Sequence, residues 1–228
     1  AQFLAWVEAL DPALSASLHA QENVPRAYTV SNFYDLPRPQ KGMVFLPAGS
    51  QVWFRLTSLQ PALSAFLVDQ LLPSLPESLT VGDAGFTLKG AAWMPEDHPW
   101  AGWVNYAALI ENDFLGRASR RMRFQFATAT AFHTRGQHLP YILPELAVPS
   151  WLGVWNAFAP VAFPEEIREA VPRAVAVSYY KMQTIPVRYG KATLVGGIGQ
   201  CTLAHLSPDP YLRHVVNVLA SFAFYAGT

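Results

Sequence analysis

Apolar residues recur through the first eighteen positions at spacings of three and four: Phe3, Val7, Leu10, Leu14 and Leu18. That period puts them on one helical face turned toward a core. Asp11-Pro12 breaks the run with a helix start, because Asp caps free backbone N–H groups and Pro has its φ preset for the first helical position. Residues 2–19 therefore read as two short helices. His19 follows the stripe by one residue, about 100° off its axis, where a ring meets solvent or a ligand. Pro25 and Arg26 lie in a loop, and Tyr28–Ser31 reads as a strand. Met43–Leu46 and Gln51–Thr57 are further strand candidates. Pro61–Leu72 returns to helical spacing (Leu63, Phe66, Leu67, Leu71), and Leu79–Val81 and Phe86–Trp93 read as strands around a Gly82–Gly85 turn.

Beyond a Pro- and Trp-rich connector, Met94–Trp103, the pattern starts again. Arg120–Phe132 alternates Met122, Phe124 and Phe126 inward with Arg121, Arg123 and Gln125 outward, which is strand periodicity. Pro149–Phe158 and Pro164–Val171 read as helices. Ala174–Met182, Ile185–Tyr189 and Thr193–Leu203 read as strands, and Pro210–Tyr225 as the closing helix. Helix, strands, helix, strands is half of a ferredoxin-like β-α-β-β-α-β unit. The expected fold is α+β, with two tandem ferredoxin-like (RRM-like) domains, residues 1–112 and 113–228. Each is expected to lack a terminal strand, and both ends of the chain look trimmed.

Composition narrows the class. At 228 residues with 51% hydrophobic content, the chain has enough apolar area for packed cores. The 19 prolines fall mostly between elements, so they punctuate an ordered chain. The single Cys201 excludes a disulfide framework and suits a reducing compartment. No basic-flanked signal segment is seen, and Arg213, His214 and Asn217 interrupt the last apolar helix. A cytoplasmic protein with no membrane span is the expectation.

Net charge is zero, which on its face argues against nucleic acid. The distribution changes that picture. Phe114–Pro144 holds five Arg and no acid, Ala170–Pro208 four basic residues and no acid, and Leu36–Val68 three and none. The acids gather between Asp69 and Asp113, seven against Lys89 alone. Arg outnumbers Lys twelve to four, and a planar fork suits phosphate contact and base stacking.

A helix ending in Leu18-His19, a loop with Pro25-Arg26, then the strand AYTVS resembles the opening of the CRISPR repeat-processing endoribonucleases of the RAMP superfamily. VWFRLTSL (Val52–Leu59), FQFATATAF (Phe124–Phe132) with LGVWNAFAP (Leu152–Pro160), and VGGIGQCTL (Val195–Leu203) with the helix after it carry the resemblance along nearly the whole chain. The family's Thr-Pro-Thr stands here as Thr128-Ala129-Thr130. A Tyr that some members place before the His falls here on Leu4, so no Tyr role is carried over. The family's usual Lys stands here as Arg26.

The resemblance implies a metal-independent endoribonuclease that cuts CRISPR repeats to mature guide RNA. The RNA's own 2′-hydroxyl attacks the neighbouring phosphorus, leaving a 2′,3′-cyclic phosphate and a 5′-hydroxyl. His19 suits either proton transfer near neutral pH. Arg26 suits stabilisation of developing phosphate charge, not acid catalysis. Arg55, Arg120, Arg121, Arg123, Lys181, Arg188 and Lys191 are the expected RNA contacts. A non-catalytic RNA-binding subunit of a CRISPR ribonucleoprotein is the alternative, and other CRISPR effector subunits are possible partners. A helix-terminal histidine also suits the helix dipole without any catalytic role.

Of the remaining histidines, His98 and His138 read as surface loop residues. His133, at a strand end in the basic region, is a candidate RNA contact, and His205 and His214 read as core or surface. No His/Asp/Glu set has metal-ligand spacing, so neither a metal nor a cofactor is expected. Gly196-Gly197-x-Gly199 matches no phosphate-loop template. A glycine bulge and close approach of RNA backbone are both open readings.

Overall fold

A computed structural model describes residues 2–20, 24–37, 43–134, 136–189 and 192–227. The chain divides into two compact units. One joins Ala1–Val30 to Arg55–Val104, and the other joins Ser31–Phe54 to Asn105–Thr228. This differs from a simple cut at residue 112. The boundary falls at 104/105, ahead of a helix, and Ser31–Phe54 goes with the second unit. That segment closes on itself. Tyr34 stacks on Trp53 at 3.8 Å, Tyr34 N–H donates to the Trp53 carbonyl, and Trp53 Nε1 donates to Asp35.

In the first unit, α1 (Gln2–Leu10) and α2 (Pro12–His19) form as the sequence predicts. Asp11 Oδ1 accepts from Leu14 N–H at 2.8 Å, which fixes where α2 begins. The two helices do not share one continuous apolar face. Phe3, Val7 and Leu18 are buried, but Leu10 is 40% exposed, because the break at Asp11-Pro12 re-aims the helix after it. Strand β1 (Tyr28–Val30) pairs antiparallel with β2 (Leu56–Ser58). Two sequence expectations fail here. Met43–Leu46 lies outside the strands, and Gln51–Thr57 yields a strand only from Leu56, because Trp53 is drawn off to bridge Tyr34.

Helix α3 (Pro61–Phe66) runs on as a π turn, Leu67–Leu71, and a 3-10 turn, Leu72–Ser74. Its Leu63, Phe66, Leu67 and Leu71 are buried, as their spacing requires. Strands β3 (Ser78–Val81) and β4 (Ala84–Thr87) make a hairpin whose two-residue turn has Gly82 at φ 61°. β4 stops at Thr87, short of the predicted Trp93.

The second unit begins with α4 (Tyr106–Ile110), capped by Asn105 and continued by a π turn, Glu111–Leu115. β5 (Arg121–Thr130) follows, then a small hairpin of β6 (Phe132–Thr134) and β7 (Gln137–Leu139). Next come α5 (Pro144–Phe158), α6 (Ile167–Ala174), β8 (Val175–Tyr189), β9 (Ala192–His205) and α7 (Pro210–Ala226). Helix α5 starts five residues earlier than predicted, with Pro144 taking the first-turn place and Pro149 lying within the helix. β8 is one continuous strand where two were expected.

The sheet order is β5-β9-β8, with β9 antiparallel to both neighbours. β5 and β8 therefore run parallel on either side of β9, joined by α5 and α6, which is the connectivity of a ferredoxin-like unit. One sheet face supplies the core. Met122, Phe126, Cys201 and Leu203 are buried on it, and Phe124 meets Trp151 at 5.2 Å. Trp151 and Trp155 of α5 are fully buried. Trp155 packs against Phe222 of α7 and Phe163, each about 5 Å away, and its Nε1 donates to the Val161 carbonyl. Tyr106 shares this core, and desolvation raises its phenol to about 12.

Candidate nucleic-acid interface and catalytic residues

His19 is the last residue of α2 and is exposed, while its neighbour Leu18 is 3% exposed and anchors the turn in the core. The ring thus projects from a helix held by packing at one end and the Asp11 cap at the other. Arg26 is exposed beside Ala27, which is fully buried and whose carbonyl accepts from Leu59 N–H at 2.8 Å. The loop end that carries Arg26 is therefore pinned to the β1–β2 pair. Both residues lie in the first unit.

The hydroxyls near His19 in sequence are used elsewhere. Tyr28 is buried with its ring 4.9 Å from Phe3, Thr29 Oγ1 shares a 2.6 Å hydrogen bond with Thr57 Oγ1, and Ser31 Oγ donates to the Asn32 carbonyl.

Among the expected RNA contacts, Arg55 Nε donates to the Trp100 carbonyl at 2.8 Å, so part of its guanidinium holds the connector. Arg120, Arg121 and Arg123 are exposed, the last two on the β5 face opposite the buried Met122 and Phe126. Lys181 is exposed on β8. Arg188 lies on β8 opposite Thr193, and Lys191 falls outside the described residues. The structure thus groups Arg120, Arg121, Arg123, Lys181 and Arg188 on one three-stranded sheet or its edge.

The other histidines separate by environment. His98 Nδ1 accepts from Trp100 N–H inside the connector, a half-buried structural use. His133 and His138 are exposed partners across the β6–β7 hairpin, with ring centroids 5.0 Å apart. His214 is half-buried against Phe114. His205 is 3% exposed, and burial pushes its imidazole below the ordinary value, reinforced by Arg213 and Arg120. Burial likewise raises the Cys201 thiol to about 11, which leaves it inert. Among the described residues no group of three His, Cys, Asp or Glu side chains is placed to hold a metal ion.

The glycine run has a packing explanation. A Cβ on Gly196 would lie 2.6 Å from Ala129 Cβ, and one on Gly197 would lie 2.4 Å from the Pro140 carbonyl oxygen. Gly199 has φ 135° and sits where the β5–β9 register breaks, between Phe126 and Thr130. This is the bulge reading. Tyr179, Gln125 and Gln200 are exposed residues of the same sheet that the sequence pattern does not mark as site residues. The strand register that unites them is set by a bulge no periodicity reveals.

The family "CRISPR-associated endoribonuclease Cas6" matches residues 124–228. No curated protein matches the chain. Among solved structures, one Cas6 product complex is 25% identical over 98% of this chain and 84% of its own, with TM-score 0.80. A second Cas6 product complex is 25% identical over 97% and 84%, with TM-score 0.76. Thermus thermophilus Cas6 shares the fold at 22% identity over 98% and 81%, with TM-score 0.68. The fold is that of two ferredoxin-like domains. The family match over residues 124–228 and the structural likeness along nearly the whole chain support a Cas6-type CRISPR repeat-processing endoribonuclease.

Proposed function

We propose that the protein binds CRISPR repeat RNA and cuts it without a metal, by attack of the 2′-hydroxyl on the adjacent phosphorus. The bond from phosphorus to the 5′-oxygen breaks, leaving a 2′,3′-cyclic phosphate and a 5′-hydroxyl. His19 exchanges the proton at the attacking or leaving oxygen. Arg26 stabilises the negative charge that builds on phosphorus, as a cation that stays protonated throughout. Arg120, Arg121, Arg123, Lys181, Arg188 and Lys191, with Arg55 in a minor part, hold the RNA backbone. On this reading the first unit carries the chemistry and the second the binding face.

The observation that carries this reading is an exposed imidazole at the end of a packed, capped helix. Likeness to two Cas6 product complexes supports it, as does the acid-free composition of the second-unit sheet. The test is incubation with labelled RNA of the host's CRISPR repeat in EDTA. Cutting should persist and leave cyclic phosphate ends. His19→Ala should slow it by about 10²- to 10⁴-fold, the usual worth of one acid–base group, with binding of intact repeat retained. Cutting that needs added Mg²⁺, or that His19→Ala leaves unchanged, overturns the mechanism. Tight binding with no cutting supports a guide-holding subunit instead.

A further inference from the structure

The outer face of the β5-β9-β8 sheet is where the register has a consequence beyond charge. Residues directly opposite across antiparallel strands share a face. Arg123 pairs with Thr202, and Thr202 pairs with Tyr179. In the next row Gln125 pairs with Gln200, and Gln200 with Lys181. Arg123 stands on the outer face because Met122 beside it is buried in the core. Tyr179 and Lys181 therefore stand there too, and all of these but Thr202 are exposed.

Tyr179 reaches this face through a bulge. Before it, Val177 lies opposite the buried Leu203, on that residue's side of the sheet, though Val177 itself is 37% exposed on the edge strand. After it, Tyr179 lies opposite Thr202, on the outer side, so Ser178 is the extra residue. Ser178 Oγ donates to the Thr202 carbonyl and holds the kink. Strict alternation would have turned Tyr179 inward. Bulges recur where a strand must re-aim one side chain. The ring it turns out is 48% exposed. Cations stand in its own row and in the next, and none of the three strands carries an Asp or Glu.

The geometry points to Tyr179 as the stacking residue for an unpaired RNA base. Arg123 and Lys181 hold the flanking phosphates, and Gln125 and Gln200 are the amides placed to read a base edge. This rests on the RNA-processing reading above and adds a base-recognition subsite to it. An aromatic plane among cations and amides is the chemistry that takes a single-stranded nucleotide. A duplex offers only backbone to such a face, so the occupant is an unpaired stretch of the repeat.

The test is equilibrium binding of fluorescently labelled repeat RNA by the full chain, over a range of salt, for the parent, Tyr179→Ala and Tyr179→Phe. Melting temperatures are checked alongside. Tyr179→Ala should weaken binding roughly tenfold, with the slope of log affinity against log salt unchanged, because no phosphate contact is lost. Tyr179→Phe should bind within twofold of the parent. Arg123→Ala should instead make the slope shallower. Binding by Tyr179→Ala within twofold of the parent overturns the inference, as does an equal loss in Tyr179→Phe. Either result leaves the RNA-processing reading standing. Failure of the parent itself to bind the repeat overturns both.

Discussion

At the scale of single residues, neighbouring protein atoms restrict the glycine run. Gly199 combines φ 135° with a position where a Cβ would collide with the Lys181 carbonyl oxygen. Gly199→Ala should therefore cost about 1–3 kcal/mol in chemical denaturation, the range for a residue forced into a sparsely allowed conformation. The alternation of β5 was readable from the sequence alone, because Met122 and Phe126 bury and Arg121 and Arg123 face outward as period two requires. The side of Tyr179 was not readable. It depends on one extra residue, Ser178, whose hydroxyl bonds a carbonyl on another strand.

Among the elements, α2 decides where His19 stands. Its start is fixed by one hydrogen bond, from Leu14 N–H to Asp11. Asp11→Ala should cost about 1 kcal/mol of stability by losing that cap. It should also reduce cleavage of repeat RNA more than binding, because a frayed helix misplaces the ring. A rate and an affinity measured together check this. Helix type and order were legible at this scale. Some ends were not, since Pro149 reads as a start but lies within α5, where packing of Trp151 and Trp155 overrides its local cost. β2 was overextended for the opposite reason, because the Tyr34–Trp53 stack removes residues that look like strand.

For the whole molecule, the zero net charge conceals acid-free stretches, and the response to salt and pH follows from placement. RNA affinity should fall steeply with salt despite a pI of about 7.2. His205 gives a pH dependence to stability. Its folded pKa lies below the unfolded value of 6.5, chiefly through desolvation, with Arg213 and Arg120 adding to the shift and Ser207 and Asp209 opposing it. The unfolded chain therefore binds the proton more readily. The contribution is fully present above pH 6.5 and is lost as pH falls through the folded pKa. His205→Leu should flatten the acid side of a plot of stability against pH, measured by urea denaturation between pH 5 and 7, while the parent loses stability as pH falls.

The sequence by itself determined what local rules govern. Helices and strands came from hydrophobic period, the start of α2 from Asp11-Pro12, and the outward arginines of β5 from alternation. It also carried the family likeness, through motifs kept in order. The tertiary structure decided what depends on partners far along the chain. Residues 31–54 group with the second unit and close on themselves through the Tyr34–Trp53 stack, and Tyr28 and Thr29 serve packing because Phe3 and Thr57 meet them. The aromatic on β8 turns toward the cations because a bulge shifts the register. Such contacts join residues whose separation no short period records, so they are settled only when the strands pair and the cores close.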